Sequence, residues 1–165
     1  GILSVVQRLM GEPPVLFQQM GLMKPPRGRQ KPWHQDCAYF TASRRHHRRR
    51  RLDCPGLSHS RERLPPPHPG SHREGPQPHF RLLDWQVCDA EVPVERSVMV
   101  PLEPGGCLFW HGLTVHCSPT NRSNEGRRAL QFHYEPESIR KITDEERLEI
   151  YGGEGQGVEC SVGTR

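Results

Sequence analysis

The sequence lacks any long apolar run. Of its 165 residues 33% are hydrophobic, and no stretch approaches the roughly 18–20 consecutive apolar residues that a membrane span needs. The opening Gly-Ile-Leu-Ser-Val-Val has no initiator methionine and none of the basic residues that precede the apolar part of a signal peptide. We therefore expect neither a membrane segment nor a secretory leader, and we expect the chain to begin inside a domain.

Apolar and aromatic residues are scarce throughout. Soluble domains are about 45–50% apolar when glycine is counted. Here aromatic residues make up 7%, while 17 prolines and 16 glycines make up a fifth of the chain. This composition predicts one domain with a thin core and many turns.

The cysteines form no C-x-x-C pair. There are six of them, widely scattered, and nothing in the sequence indicates secretion. We therefore predict reduced thiols and a cytoplasmic location. The six are Cys37, Cys54, Cys88, Cys107, Cys117 and Cys160.

Positive charge is concentrated in one segment. Residues 41–68 hold eight arginines against Asp53 and Glu62, an excess larger than the net charge of +4 for the whole chain. This segment has almost no apolar residues, so its composition predicts a disordered basic segment that supplies no core strand. An RNA-binding arm is the alternative, although no aromatic residue interleaves the Arg48–Arg51 cluster.

The two flanks of this segment have the patterns of an ordinary β-rich domain. Short strands are predicted over 31–40, 97–102, 107–111 and 127–134, with turns at Lys24–Gly28 and Glu103–Gly106. Thr143-Asp-Glu-Glu is a capping-box signature for a helix that ends near Tyr151, before two glycines. Short strands with little helix favour a sandwich or barrel.

One short motif suggests a metal site. His34-Gln35-Asp36 is an H-x-D pair, and alternate residues of a strand point the same way, so both side chains could reach one ion. A distant histidine could complete the two-histidine, one-carboxylate set of non-haem Fe(II) oxygenases. With ten histidines in the chain, an H-x-D pair can also arise by chance.

Three longer stretches together resemble the phytanoyl-CoA dioxygenase family. They are KPPRGRQKPWHQDCAYF at 24–40, PGSHREGPQPHF at 69–80, and the H-x-S-x-x-N motif that begins at His116 and has an arginine eleven residues after the histidine. The resemblance covers residues 1–40 and 69–165. It implies a mostly β fold, a partial double-stranded β-helix (jelly roll), here in one incomplete dioxygenase domain with a short C-terminal helix.

The resemblance assigns roles residue by residue. It implies that His34, Asp36 and His116 bind Fe(II), and that Arg127 and Ser118 hold the distal carboxylate of 2-oxoglutarate. Arg128 is the competitor of Arg127, but the eleven-residue offset and strand alternation favour Arg127. Other notable side chains have ordinary interpretations: His111 as a polar strand residue near the site, His72, His79 and His133 as hydrogen-bonded or exposed, and Trp33 and Tyr39 as core or pocket wall.

The anomalous segment 41–68 has about the length that the family uses there. Its codons, read one frame over, can encode an apolar strand and turn, so we interpret the segment as translated in a shifted frame. Eight arginines in place of a buried strand would be hard to accommodate without partners. An inactive fragment of such an enzyme is therefore the alternative function.

The resemblance implies an Fe(II)- and 2-oxoglutarate-dependent dioxygenase that uses O₂ to hydroxylate a C–H bond. We expect a small organic substrate, and neither nucleic acid nor a membrane as a partner. The identity of the substrate and the oligomeric state do not follow from the sequence.

Overall fold

A four-stranded antiparallel sheet is the largest element of the fold. The structure, a computed structural model, describes residues 1–41, 55–60, 68–103 and 105–152. In the order β1-β8-β3-β6, the sheet comprises β1 (Pro14–Lys24), β8 (Arg127–Pro136), β3 (Pro55–Ser60) and β6 (Leu108–His111). In β1, the alternate residues Gln18, Met20, Leu22 and Lys24 line one cavity, in keeping with the two-residue period of a strand, and Met23 also reaches its lining.

Two smaller ladders complete the β structure. β2 (Lys31–His34) pairs with β7 (His116–Ser118), and β4 (His79–Arg81) pairs with β5 (Trp85–Val87), both antiparallel. The cavity lies between the β2–β7 ladder and the large sheet, because both contribute to its lining. This arrangement agrees with the predicted partial jelly roll.

The core consists of small clusters, as the low apolar content predicts. One cluster joins Cys37, Ala38, Trp85, Leu113 and Tyr151, and a second joins Trp33, Val87, Val92 and Val115. Trp33 of β2 and Cys37 and Ala38 after it are members of these clusters, so the core supports the segment that carries the H-x-D motif.

Helices stand near the two ends of the described chain. Helix α1 (Ile2–Met10) precedes β1, and helix α2 (Asp144–Tyr151) follows β8. The predicted capping box of α2 is confirmed: the Thr143 hydroxyl accepts from the Glu146 amide at 3.2 Å, and the Glu146 carboxylate accepts from the Thr143 amide at 3.1 Å. Gly152 ends this helix with a φ of 92°.

Three sequence-based expectations are wrong. Residues 97–102 form no strand apart from a single bridge residue, Val100. Strand β3 falls inside the basic segment that was expected to supply none. Cys88 is disulfide-bonded, whereas Cys37, Cys107 and Cys117 are reduced thiols as predicted.

Several predictions fall on residues that the structure does not describe. Residues 42–54 and 61–67 of the basic segment, Cys54 and Cys160 lie outside the described residues. The shifted-frame interpretation and the division into a domain plus an anomalous segment stay predictions. Within the described ranges, no helix is long and apolar enough to cross a membrane.

The cap of α2 gives a test of the fold. Replacing Thr143 by Ala removes the hydroxyl that accepts from Glu146, and we expect a loss of about 1 kcal/mol in the free energy of unfolding. Thr143→Ser keeps the hydroxyl and should stay near the parent value. Urea denaturation followed by circular dichroism measures both, and equal losses for the two variants would contradict this role of the cap.

Candidate metal centre and carboxylate pocket

Three buried side chains converge on one point between the sheets. The possible ligand atoms of His34, Asp36 and His116 all lie within 4.8 Å of one another. His34 ends β2 and pairs across the ladder with His116, which begins β7, so their imidazole centroids lie 4.2 Å apart. Asp36 does not lie on a strand, as the H-x-D pattern suggested, but at the start of a short 3-10 helix. Because the backbone of Gln35 is extended, Asp36 still faces the two histidines.

Backbone carbonyls fix the tautomer of both histidines. Nδ1 of His34 lies 2.8 Å from the Pro32 carbonyl, and Nδ1 of His116 lies 2.9 Å from the Thr114 carbonyl. A carbonyl oxygen can only accept, so each Nδ1 carries a proton, and in the neutral ring it is Nε2 that offers the lone pair. The two Nε2 atoms lie 3.5 and 3.6 Å from Oδ1 of Asp36.

The protonation states suit a divalent cation. Burial lowers the pKa of His116 to about 4, which leaves its imidazole neutral at pH 7. Burial alone would raise the pKa of Asp36, but His116 and hydrogen bonds with His133 and His34 outweigh it and hold that pKa well below its ordinary value. The cluster therefore presents the neutral imidazole of His116 and the ionised carboxylate of Asp36, and with His34 as the second imidazole it has the donor set of a non-haem Fe(II) facial triad. The chemistry of these donors thus fits an iron ion.

The second oxygen of Asp36 is occupied by other donors. The Trp110 indole N–H donates to Oδ2 at 2.9 Å, and the Gln131 amide donates to it at 3.5 Å. His133, which is buried, places Nε2 3.6 Å from the same oxygen. Because Oδ2 is held by Trp110, Asp36 would offer a metal only Oδ1, which leaves more coordination positions open.

Gln35 anchors the H-x-D segment. Its side chain donates to the carbonyls of Gly75 and Leu113 at 3.0 and 2.8 Å and accepts from the Gln77 amide at 2.8 Å. Its own amide donates to Nε2 of His79 at 3.0 Å. Burial lowers the pKa of His79 to about 4, so this ring stays neutral and able to accept. His34 and Asp36 are thus held by a fully hydrogen-bonded residue between them.

The lining of the cavity beside the metal cluster includes a pair of polar side chains in contact with each other. The cavity has a volume of roughly 430 Å³, and its lining includes all three cluster residues together with Ser118 and Arg127. Arg127 donates to the Ser118 hydroxyl at 2.6 Å. Along β8 the lining residues are Arg127, Ala129, Gln131 and His133, whereas Arg128 is not among them. The structure therefore brings the predicted residues into one cavity.

Two further histidines singled out in the sequence differ in their contacts, one ordinary and one unexpected. Nδ1 of His111 accepts from the Leu113 amide at 3.1 Å, its ring lies against His72 with centroids 5.3 Å apart, and it is not one of the three clustered side chains. Trp33 lies in the core and Tyr39 lines the cavity wall. His133 contacts Asp36, which the sequence analysis did not anticipate.

Two functional positions were missed by sequence reasoning. Lys24 lines the cavity and donates to the Ser118 hydroxyl, and Trp110 donates to Asp36. The available signal was the strand period: Lys24 is two and four residues from the pocket-facing Leu22 and Met20. Because β1 was not predicted, that period was not applied.

A family comparison supports the resemblance. Residues 68–129 match the model of the family described as phytanoyl-CoA dioxygenase (PhyH), a range that contains His116, Ser118 and Arg127. A curated relative, phytanoyl-CoA dioxygenase domain-containing protein 1 of Danio rerio, is 29% identical over 93 residues, which are 47% of this chain and 32% of the relative. The resemblance inferred from the motifs is confirmed.

Solved structures share the fold. The non-haem monooxygenase ThoJ in its apo form superposes with a TM-score of 0.73 at 20% identity, covering 86% of this chain and 54% of ThoJ. The epimerase SnoN, in complex with Fe³⁺, α-ketoglutarate and nogalamycin RO, gives 0.68 at 22% identity, covering 96% and 64%. At these identities the likeness is one of fold, and the chain spans about half to two thirds of each structure's length.

The contact between Trp110 and Asp36 gives a test of the metal centre. Trp110→Phe removes the indole N–H from Oδ2, and we expect Co(II) to bind about ten- to a hundredfold more weakly, as for other hydrogen bonds to metal-binding side chains. A Co(II) titration followed by visible absorption measures this affinity.

Trp85→Phe is the matched control. Trp85 is also buried, but its indole nitrogen has no hydrogen-bond partner among the described residues. That variant should bind Co(II) as the parent does. Unchanged affinity in Trp110→Phe would contradict the proposed support of Asp36.

Proposed function

We propose that this chain, similar over residues 68–129 to the phytanoyl-CoA dioxygenase family, is an Fe(II)- and 2-oxoglutarate-dependent oxygenase. The observation that carries the proposal is one cavity lined by both a facial set of metal-binding side chains and an arginine–serine pair. The first can hold a ferrous ion, and the second can hold a carboxylate. SnoN, which shares the fold, was solved with iron and α-ketoglutarate, and this supports the same pair of ligands here.

Bound Fe(II) would supply the activation of O₂, with 2-oxoglutarate oxidised to succinate and CO₂ while one oxygen atom enters a substrate C–H bond to give C–OH. Both atoms of O₂ are then accounted for, one in succinate and one in the alcohol. The protein's own contribution is to hold the metal, orient the cosubstrate and exclude water.

His34, His116 and Asp36 would hold the ion through Nε2, Nε2 and Oδ1. Their protons are already placed for this, because each Nδ1 donates to a backbone carbonyl and Asp36 is ionised. No side-chain rearrangement of these three residues is needed to create the donor set. Binding would therefore cost little reorganisation.

Arg127 and Ser118 would bind the distal carboxylate of 2-oxoglutarate. An arginine guanidinium forms two parallel hydrogen bonds with a carboxylate, and the serine hydroxyl supplies another donor. Their contact at 2.6 Å keeps both side chains at the same end of the cavity. The cosubstrate would thus lie with its charged end at this pair and its 2-oxo acid end toward Asp36.

The rest of the cavity is suited to an organic substrate with an apolar part. Its lining includes Met20, Leu22, Met23, Phe40 and Leu108. Hydroxylation of a C–H bond is the outcome that we propose for such a substrate. The assembled metal cluster does not favour the alternative of an inactive fragment. A cytoplasmic location and the absence of a nucleic-acid partner stay predictions.

The two adjacent arginines of β8 give a matched test. Arg127→Met removes the guanidinium from the cavity, and we expect 2-oxoglutarate to bind at least a hundredfold more weakly, because a charged hydrogen-bonding partner is lost. Arg128→Met removes the same charge outside the cavity lining and should leave binding unchanged. Visible charge-transfer absorption of the anaerobic Fe(II) protein on addition of 2-oxoglutarate measures both.

Loss of the metal ligands should have a different effect. Asp36→Ala should abolish succinate formation and also the charge-transfer band, because it removes the metal. If the parent protein with Fe(II) gives no such band with 2-oxoglutarate, the proposed function is wrong.

A further inference from the structure

Two residues that line the cavity each carry a buried polar atom with no hydrogen-bond partner among the described residues. These atoms are Oε1 of Gln18 and Nδ1 of His133. The other buried side-chain atoms without such a partner belong to residues outside the cavity lining. A buried polar group that forms no hydrogen bond destabilises the folded state. Two of them in one lining therefore indicate that the cavity receives a polar group of a ligand.

Gln18 and His133 stand directly opposite each other across the β1–β8 ladder. Residues at opposed positions of an antiparallel pair have Cβ atoms about 4.5–5.5 Å apart, so one small group can reach both side chains. The register shifts between Leu16 and Gln18, which makes Phe17 an extra residue in β1. Such a bulge redirects the side chains that follow it, and Gln18 is the first residue after it to line the cavity.

The two atoms differ in their hydrogen-bonding capacity. Nε2 of His133 lies 2.9 Å from the amide nitrogen of Gln131, which can only donate, so in the neutral ring Nε2 accepts and Nδ1 carries the hydrogen. Oε1 of Gln18 is an acceptor. The pair therefore offers one donor and one acceptor, and a hydroxyl group complements both with a single oxygen.

The surroundings of the pair are apolar. The ring centroids of Phe17 and Phe40 lie 5.9 and 4.9 Å from that of His133, which is only 2% exposed. In such surroundings a hydrogen bond is stronger than in water, and an unpaired polar group costs more. Gln18 is half-buried, and the terminal torsion of a glutamine is broad, so its amide can turn toward a ligand.

The pair lies near the metal cluster and far from the proposed carboxylate site. On β8, His133 comes six positions after Arg127, which is about 20 Å along an extended strand. Nε2 of His133 lies 3.6 Å from Oδ2 of Asp36. A group bound between Gln18 and His133 would therefore belong to the substrate and not to the distal end of 2-oxoglutarate.

We propose that Gln18 and His133 form a binding site for a hydroxyl group of the substrate, which makes an alcohol with an apolar body the preferred substrate class. The hydroxyl would donate to Oε1 of Gln18 and accept from Nδ1 of His133. Apolar residues of the same lining, among them Met20, Phe40 and Leu108, would contact the body. The inference rests on the proposed function and adds a substrate class to it.

The binding test uses the chain loaded with Ni(II) and 2-oxoglutarate. It is titrated with 4-fluorobenzyl alcohol and, separately, with 4-fluorotoluene, which lacks the hydroxyl, and ¹⁹F NMR measures both affinities. We expect the parent to bind the alcohol at least tenfold more tightly, because the hydrocarbon leaves both polar atoms unpaired. In Gln18→Met the alcohol should lose this advantage. Gln19→Met is the matched control, since Gln19 is exposed and outside the lining, and it should bind both probes as the parent does.

Thermal unfolding of the ligand-free chain gives a second readout. Because the unpaired Oε1 destabilises the folded state, Gln18→Met should raise the unfolding midpoint by about 2–4 °C, whereas Gln19→Met should leave it unchanged. A purely structural role of Gln18 predicts a lower midpoint instead. If Gln18→Met does not fold, Gln18→Leu takes its place.

The outcomes separate the two proposals. If the parent with Ni(II) does not bind 2-oxoglutarate, the proposed function is wrong and the inference falls with it. If the parent binds 2-oxoglutarate but binds the alcohol no more than threefold more tightly than the hydrocarbon, or binds no alcohol, only the inference is overturned. Equal losses of affinity for both probes in Gln18→Met would also overturn it, because the side chain would then act through shape alone.

Discussion

The carboxylate of Asp36 is the point on which the site depends, because four parts of the fold meet at its two oxygens. Oδ1 faces the histidines contributed by β2 and β7, and Oδ2 receives hydrogen bonds from Trp110 of β6 and Gln131 of β8. A buried carboxylate is costly unless it is paired and hydrogen-bonded. The contacts that offset this cost also leave Oδ1 facing the proposed metal position while Oδ2 accepts hydrogen bonds from the protein. One arrangement therefore serves both stability and the proposed function.

Charge is separated along the cavity in a way that would orient a ligand. Asp36 is the anion that a cation would neutralise, and in the lining of the same cavity Lys24 and Arg127 both donate to Ser118. A dicarboxylate with a chelating end and a free end matches this separation.

The sequence predicted the residues that belong to short motifs, but it did not predict the residues whose contacts depend on the tertiary pairing of distant segments. The capping box of α2 is local, so it could be predicted from its own residues. The H-x-D spacing and the histidine–serine–arginine offsets are also local, and the family resemblance that they carry named the corresponding site residues in advance. Lys24 and Trp110 carry no local signature, because their importance comes from a register partner across a ladder and from a contact to Asp36, 74 residues away. Residues 97–102 show the opposite error, since a short apolar run predicted a strand there and only Val100 forms a bridge.

Strand β3 shows why composition gave a wrong prediction for the basic segment, which was expected to supply no strand. Ladder hydrogen bonds use backbone groups, which every non-proline residue carries, so a segment with unusual side chains can still complete a sheet. In this sheet Gly56 pairs with Trp110 on one side and with His133 on the other, and Ser58 pairs with Gln131. The strand therefore sets the spacing between β6 and β8, the two strands whose side chains hold Oδ2 of Asp36. The backbone of β3, in a segment whose sequence gives no sign of the site, thus keeps in register Trp110 and Gln131, the two residues that donate to Asp36.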